Sequence, residues 1–259
     1  MALCSLPGIH AGAFAVWYRN FMVWKKLIGP AMLMNFGEPA LYLLALGYGL
    51  GFFIGEMGDM PYLVFLASGI VASSAMTTAS FEGTYSVFTR MVPQRTYEAM
   101  LTTPLQVNDI LAGEMLWCAS KSVVSASAIL VVAALLGLVS GWQALWVLPI
   151  VFLVGLSFAG PAIIMSVLAS NYDFFSYYTV LVITPMYLLS GVFYPIDTLP
   201  PVLHTFLWYL PLPHAVALTR PLVTGRELTD VFLHLGVLAL YAGVSYCVAV
   251  HFVRRKLIR

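Results

Sequence analysis

Charge is what this sequence has least of. Of its 259 residues only 9% are Asp, Glu, Lys or Arg, while 61% are hydrophobic; a soluble domain carries about 25% charged residues. That shortfall excludes an ordinary soluble protein. Cysteine is also scarce: Cys4, Cys118 and Cys247 are scattered and odd in number, so no disulfide framework or metal spacing is expected. No GxxxxGK[ST] run is present, which excludes nucleotide hydrolysis by this chain alone. HExxH, GxSxG and any cysteine–histidine pairing are missing as well. The N-terminus has no basic stretch before its apolar residues, and Trp17, Arg19 and Trp24 interrupt it, so it does not read as a signal peptide.

What is abundant is long apolar sequence. A spanning helix needs about 20 mostly apolar residues, and six such runs are present: 30–55, 61–81 with a continuation toward Arg90, 109–139, 142–169, 174–193 and 231–253. The expectation is an all-α polytopic membrane protein with six transmembrane helices, forming a single domain over 1–259. Nearly the whole chain is used, so any soluble activity must come from a partner. Nine cations fall on one side of this arrangement: Arg19, Lys25, Lys26, Arg90, Arg95, Arg254, Arg255, Lys256 and Arg259. The other side holds only Arg220 and Arg226, and the first connection there carries Glu56 and Asp59 without a cation. Both termini are therefore expected in the cytoplasm.

The longest water-facing stretch between two apolar runs is RMVPQRTYEAMLTTPL, residues 90–105. Pro93 and Pro104 bracket QRTYEAML, enough for two to three helical turns at about 3.6 residues per turn. Thr96 to Glu98 supplies cap-type residues, and Tyr97, Met100 and Leu101 form one apolar stripe. Such a helix, with Arg90 and Arg95 beside it, either docks a soluble partner or lies on lipid headgroups. Upstream, in residues 10–28, Phe14, Trp17, Phe21, Trp24 and Ile28 recur at helical spacing opposite Arg19 and Lys26. This is the pattern of an N-terminal amphipathic helix in the membrane interface, or of one packed on the bundle.

Four charges stand out for their depth in the apolar sequence: Glu38, Glu82, Glu114 and Lys121. Acids at such depth face protein or water. Glu114 and Lys121 share a helix face two turns apart, so each is expected to pair across helices, with Glu38 and Glu82 as candidates for Lys121. Gly47, Gly51 and Gly55 form two successive GxxxG steps suited to close packing. The hydroxyls Ser68, Ser73, Ser74, Thr77 and Thr78 either line a polar path or bond their own helix carbonyls. Asn108 and Asp109 read as the cap of the third span.

Residues 190–225 hold six of the 15 prolines, and the apolar pieces between them are too short to span. They are read as re-entrant external helices between the fifth and sixth spans, or as an aromatic loop on the outer surface. His204 and His214, with Asp197 nearby, are the groups a membrane transfer enzyme would use, but they lack motif spacing. No repeated polar filter suggests a channel.

The order of an aromatic–basic interfacial helix, six spans, RTYEAMLTTPL, NDILAGEMLW, SNYDFFSYYTVLVITPMYLLSGVFYPIDTLP and LPLPHAVALTRPLVTGR resembles the permease subunits of ABC-2 type exporters, most closely the nodulation-protein J family, over nearly the full length. The resemblance implies a half-transporter in the bacterial inner membrane. Two copies would form the pathway, and a separate ATPase similar to nodulation-protein I would carry ATP and Mg, with no cofactor on this chain and no nucleic acid bound. It places the coupling helix at 94–103, with Arg90, Arg95, Thr96, Tyr97, Glu98, Met100 and Leu101, and the external segment at 196–222. The aromatics Tyr172, Phe175, Tyr178, Phe193, Tyr194, Trp208 and Tyr209 become candidates for the pathway or external gate. The implied cargo is a lipo-oligosaccharide or similar amphiphilic glycolipid; a drug, a lipid or a polysaccharide would use the same architecture.

Overall fold

Apolar runs of this length offer the backbone no water to bond, and a helix satisfies its amides internally. In the computed structural model the described residues are 11–26, 28–57 and 59–257, with side chains excepted at 30–36 and 38–40; they form helices and turns, with no strand among them. In chain order the helices are α1 (Ala11–Lys25), α2 (Ile28–Ile54), α3 (Tyr62–Met91), α4 (Thr96–Leu101), α5 (Val107–Leu135), α6 (Trp142–Leu168), α7 (Phe174–Leu189), α8 (Pro201–Leu207), α9 (Pro211–Thr224) and α10 (Val231–Leu257). By length and composition α3, α5, α6 and α10 are able to cross a membrane; α7 and the Leu41–Ile54 part of α2 are shorter apolar helices. Of the six expected spans, four thus coincide with helices of spanning length, and the first and fifth fall on α2 and α7.

The centre is built by α3, α5 and α6. α3 packs on α5, α6, α9 and α2, and α6 also carries α10. α3 is continuous because a π turn, Glu82–Ser86, joins its two α-helical parts. The turn packs closely against α6: a Cβ on Gly83 would stand 2.7 Å from the Ala162 methyl, so only glycine fits. A π turn displaces carbonyls from the regular ladder. Here the Ser166 hydroxyl of α6 reaches two of them, Gly83 O at 2.6 Å and Thr84 O at 2.8 Å. The α3 hydroxyls bond backward, Ser68 to Phe65 O, Ser73 to Ile70 O, Ser74 to Val71 O and Thr77 to Ser73 O.

Several boundaries differ from the sequence reading. α5 begins at Val107, capped by Gln106, whose amide donates to Asp109 Oδ2 at 3.1 Å. Asp109 is thus a first-turn residue, while Asn108 Oδ1 accepts from Arg254 at 2.9 Å. α7 ends at Leu189 because Gly191 takes φ +79°, which frees Phe193 and Tyr194 from the helix. Gly55 is not a packing glycine: it turns the chain at the end of α2 with φ +71° and has open space around it. Gly47 and Gly51 do face α3, at Leu63 and Tyr62. α4 has no side-chain cap from Thr96; it starts after Arg95, which is held at φ +47°. Glu38 lies in α2 outside the residues whose side chains are described.

Two ends follow from these contacts. Lys256 donates to Val167 O and Arg254 to Asn108, which gathers the end of α10, the end of α6 and the start of α5 with α1 and α4. Opposite them, Arg226 donates to Asp59 O, and Ser140 N to Val223 O. Arg90, Arg95, Arg254 and Lys256 thus stand at one end, with Arg226 at the other.

Candidate functional site

Glu82 leaves α3 at its π turn and meets three donors: Lys121 Nζ at 2.8 Å, Arg90 at 3.1 Å and Trp117 Nε1 at 3.0 Å. Arg90, read from sequence as part of the docking stretch and of the basic side, turns back into the bundle and also binds Glu114 Oε2 at 2.7 Å. The same oxygen accepts from Asn20 Nδ2 at 3.0 Å, and Asn20 Oδ1 accepts from Arg19 at 3.0 Å. The result is a continuous chain, Arg19–Asn20–Glu114–Arg90–Glu82–Lys121, tying α1, α5 and α3. Glu114 and Lys121 do not pair with each other. Both carboxylates are buried, so their charge is tolerable only because several donors meet each of them.

α4 rests beneath this cluster. Tyr97 is fully buried, and Met100 and Leu101 are half-buried, while Arg95, Glu98 and Ala99 face outward. Burial raises the Tyr97 phenol well above its ordinary pKa, and the neighbouring Glu114 carboxylate adds to this. A residue so placed cannot touch a soluble partner. Tyr97 sits close enough for Glu114 and Arg90 to act on it electrostatically, although its hydroxyl makes no hydrogen bond among the described residues; the outward surface belongs to Arg95 and Glu98. Arg19, Lys121, Trp24, Trp117, Tyr85 and Tyr172 line a cavity of about 380 Å³ at this end.

The aromatic candidates divide between the two ends. Tyr172 and Phe175 pack with Tyr85 and Phe88 at the basic end, and the Tyr172 hydroxyl lies 2.9 Å from Thr89 Oγ1. Tyr178 is buried on the inner face of α7. Phe193 packs edge-on against Tyr187, and both border a cavity of about 690 Å³ between α2, α3 and α7, with Ser73, Ser74, Thr77 and Thr78 on its wall. Tyr194 is half-buried in the loop beyond α7. The side chain of Tyr209 is exposed, and its carbonyl accepts from the Tyr241 hydroxyl.

The opposite end is closed by α8 and α9. Trp208 O accepts from His214 Nε2 at 2.8 Å, since a carbonyl only accepts, and His214 Nδ1 lies 2.7 Å from His234 Nδ1. His214 therefore offers a lone pair at Nδ1, and His234 must donate its Nδ1–H. The pair joins the α8–α9 turn to α10 beside a cavity of about 410 Å³. Both ring nitrogens of His214 are occupied, which leaves none for transfer chemistry. His204 is 3.8 Å from the exposed Asp197. Replacing His234 with leucine should speed amide exchange several-fold in Trp208–Leu212 and leave α3 unchanged. Equal protection in both proteins would show that the pair does not hold the turn.

Sequence reasoning missed Asn20, Trp117 and the inward course of Arg90. Ala13, Val16 and Asn20, at i, i+3 and i+7, were the visible signal for the buried face of α1. His214 and His234 left none, being brought together only by the reversal at Gly225, φ +72°.

The family model described as ABC-2 type transporter matches residues 12–224. The chain is 43% identical to nodulation protein J of Rhizobium leguminosarum bv. trifolii, covering 100% of this chain and 98% of that one. It is 41% identical to nodulation protein J of Rhizobium meliloti over 98% and 97%. Against the inner membrane transport permease YadH of Escherichia coli, identity is 26% over 92% and 91%.

Proposed function

The chain belongs to the ABC-2 type transporter family, and on that premise we propose that it is the membrane subunit of a bacterial inner-membrane exporter for a lipo-oligosaccharide or similar amphiphilic glycolipid. Two copies form the pathway, and a separate ATPase, similar to nodulation protein I, docks on α4 from the cytoplasm. ATP and Mg act on that partner, and this chain binds no cofactor. The chain crosses the membrane six times with both termini cytoplasmic, and α8 and α9 dip back from the outside.

The observation that carries this reading is α4. Its outer face is exposed and charged, while its inner face seats Tyr97 under an ion cluster shared by α1, α3 and α5. A push on α4 therefore reaches the bundle through a stiff contact. Support for a paired pathway comes from the hydroxyl-walled cavity and from the apolar faces left uncovered on α2 and α7, where Phe52, Phe53, Tyr177 and Leu181 are exposed. The glycolipid cargo is what the resemblance to the nodulation-protein J family implies. A drug, another lipid or a polysaccharide is the second reading, because such cargoes would use the same architecture.

The test is gentle extraction of the native protein followed by mass spectrometry of what stays bound. A P-loop ATPase in equal ratio is the expected result. A chain that emerges alone, under conditions that keep other membrane complexes whole, overturns the proposal.

A further inference from the structure

The ion cluster does not use all of its charge. Three cations, Arg19, Arg90 and Lys121, meet two carboxylates, Glu82 and Glu114. Arg90 is shared by both acids and Lys121 sits on Glu82. Arg19 is the cation left over. Its hydrogen bond goes to the neutral amide of Asn20, and among the described residues no acid pairs with it. It is half-buried, and burial is the main cause lowering its pKa. Glu114 acts on it only through space and is bound directly to Arg90, which itself repels Arg19; a half-buried cation so placed leaves a place short of one negative charge.

That place opens into the 380 Å³ cavity, which Arg19 lines together with Arg90, Lys121 and Glu82, the carboxylate already held by the other two cations. The walls are aromatic, from Trp24, Trp117, Tyr85 and Tyr172. The Trp24 indole N–H is buried and has no hydrogen-bond partner among the described residues. The mouth lies beside an apolar surface: Val23 borders the cavity, and Phe14, Tyr18 and Met22 are exposed on the same helix. An acid held by Arg19 and Lys121 would thus sit under aromatic rings, with its remainder passing out along apolar side chains.

We propose that this cavity binds the acidic head group, a phosphate, sulfate or carboxylate, of a membrane amphiphile, with Arg19 as its charge partner and the Trp24 indole N–H as a second donor. The proposal rests on the exporter reading, of which it names the polar chemistry of the substrate. The chemistry would equally suit a free anion; the exposed apolar side chains at the mouth favour a lipid-borne one.

The test uses the full chain in neutral detergent, incubated with equal amounts of phosphatidylglycerol and phosphatidylcholine and read by native mass spectrometry. Phosphatidylglycerol should be retained on the order of tenfold more, the size expected of a charge-assisted hydrogen bond away from bulk water. Arg19→Gln should bring the two lipids level, and Arg19→Lys should keep most of the preference. An unchanged preference in Arg19→Gln overturns the proposal. Inorganic phosphate alone should displace little of the lipid; full displacement would make the ligand a free anion and overturn the amphiphile. If Arg19→Gln does not fold, the unmodified chain decides: brominated phosphatidylglycerol should quench tryptophan fluorescence more than brominated phosphatidylcholine, and equal quenching sinks the idea. A chain that retains its ATPase but shows no lipid preference overturns this proposal alone.

Discussion

Glu82→Ala is expected to unfold the protein at temperatures the parent survives. The carboxylate collects Lys121, Arg90 and the Trp117 indole within 3.1 Å. Without it Lys121 has no acid within reach, and Arg90 keeps only Glu114. Breaking a buried ion pair by removing one partner costs about 3–5 kcal/mol, a large share of the roughly 5–15 kcal/mol that separates folded from unfolded protein. Glu82→Gln should be milder, because the amide oxygen still accepts from Trp117. Adding Lys121→Met to Glu82→Gln should recover stability, since the stranded cation is removed with its acid. The measurement is the melting temperature of the detergent-solubilised chain for the parent, the single variants and the pair. A melting temperature for Glu82→Ala equal to the parent's would mean that the cluster is an ornament of the fold, and the coupling argument would lose its rigid link.

That cluster also shows what the sequence could and could not reveal. Lys121 had few possible acids within an almost uncharged set of helices, so its pairing with Glu82 was legible as one of two candidates. Arg90 was not, because it sits among the cations read as marking a cytoplasmic side, and nothing in its neighbours says that it turns inward. Eight residues separate it from Glu82, about 80° apart in phase on a regular helix. The π turn at Glu82–Ser86 intervenes, and a π turn leaves no simple periodic signature. Helix existence was legible almost everywhere from hydrophobic length. The exact ends were not, since they depend on single backbone choices such as φ +79° at Gly191 and φ +47° at Arg95. The proline-rich outer stretch was legible as two short helices, α8 and α9. The histidine pair that fastens α9 to α10 depends on how a turn folds back, which no period records.

Exchanging the outward charges of α4, Arg95→Glu with Glu98→Arg, should abolish recovery of the ATPase with the membrane subunit, a loss well beyond tenfold for a docking surface this small in which charged residues set the register. The chain's own melting temperature should not move, because both side chains are exposed and neither takes part in the ion cluster. Tyr97→Ala should act in the opposite way. It empties a fully buried site of the largest side chain on the helix, and a truncation of that size costs about 3–5 kcal/mol in a well-packed core. Locally, that is enough to let α4 move without carrying Glu114 and Arg90 along. The ATPase should still bind and hydrolyse ATP, while export falls far more than hydrolysis does. The two variants therefore separate grip from transmission: one loses the partner with the bundle intact, the other keeps the partner and loses the stroke. If Tyr97→Ala exports at the parental rate per ATP, the contact between α4 and the cluster does not transmit the work. The push would then have to enter through another contact at the same end, of which the end of α10, held to α5 by Arg254 and Asn108, is the next in line.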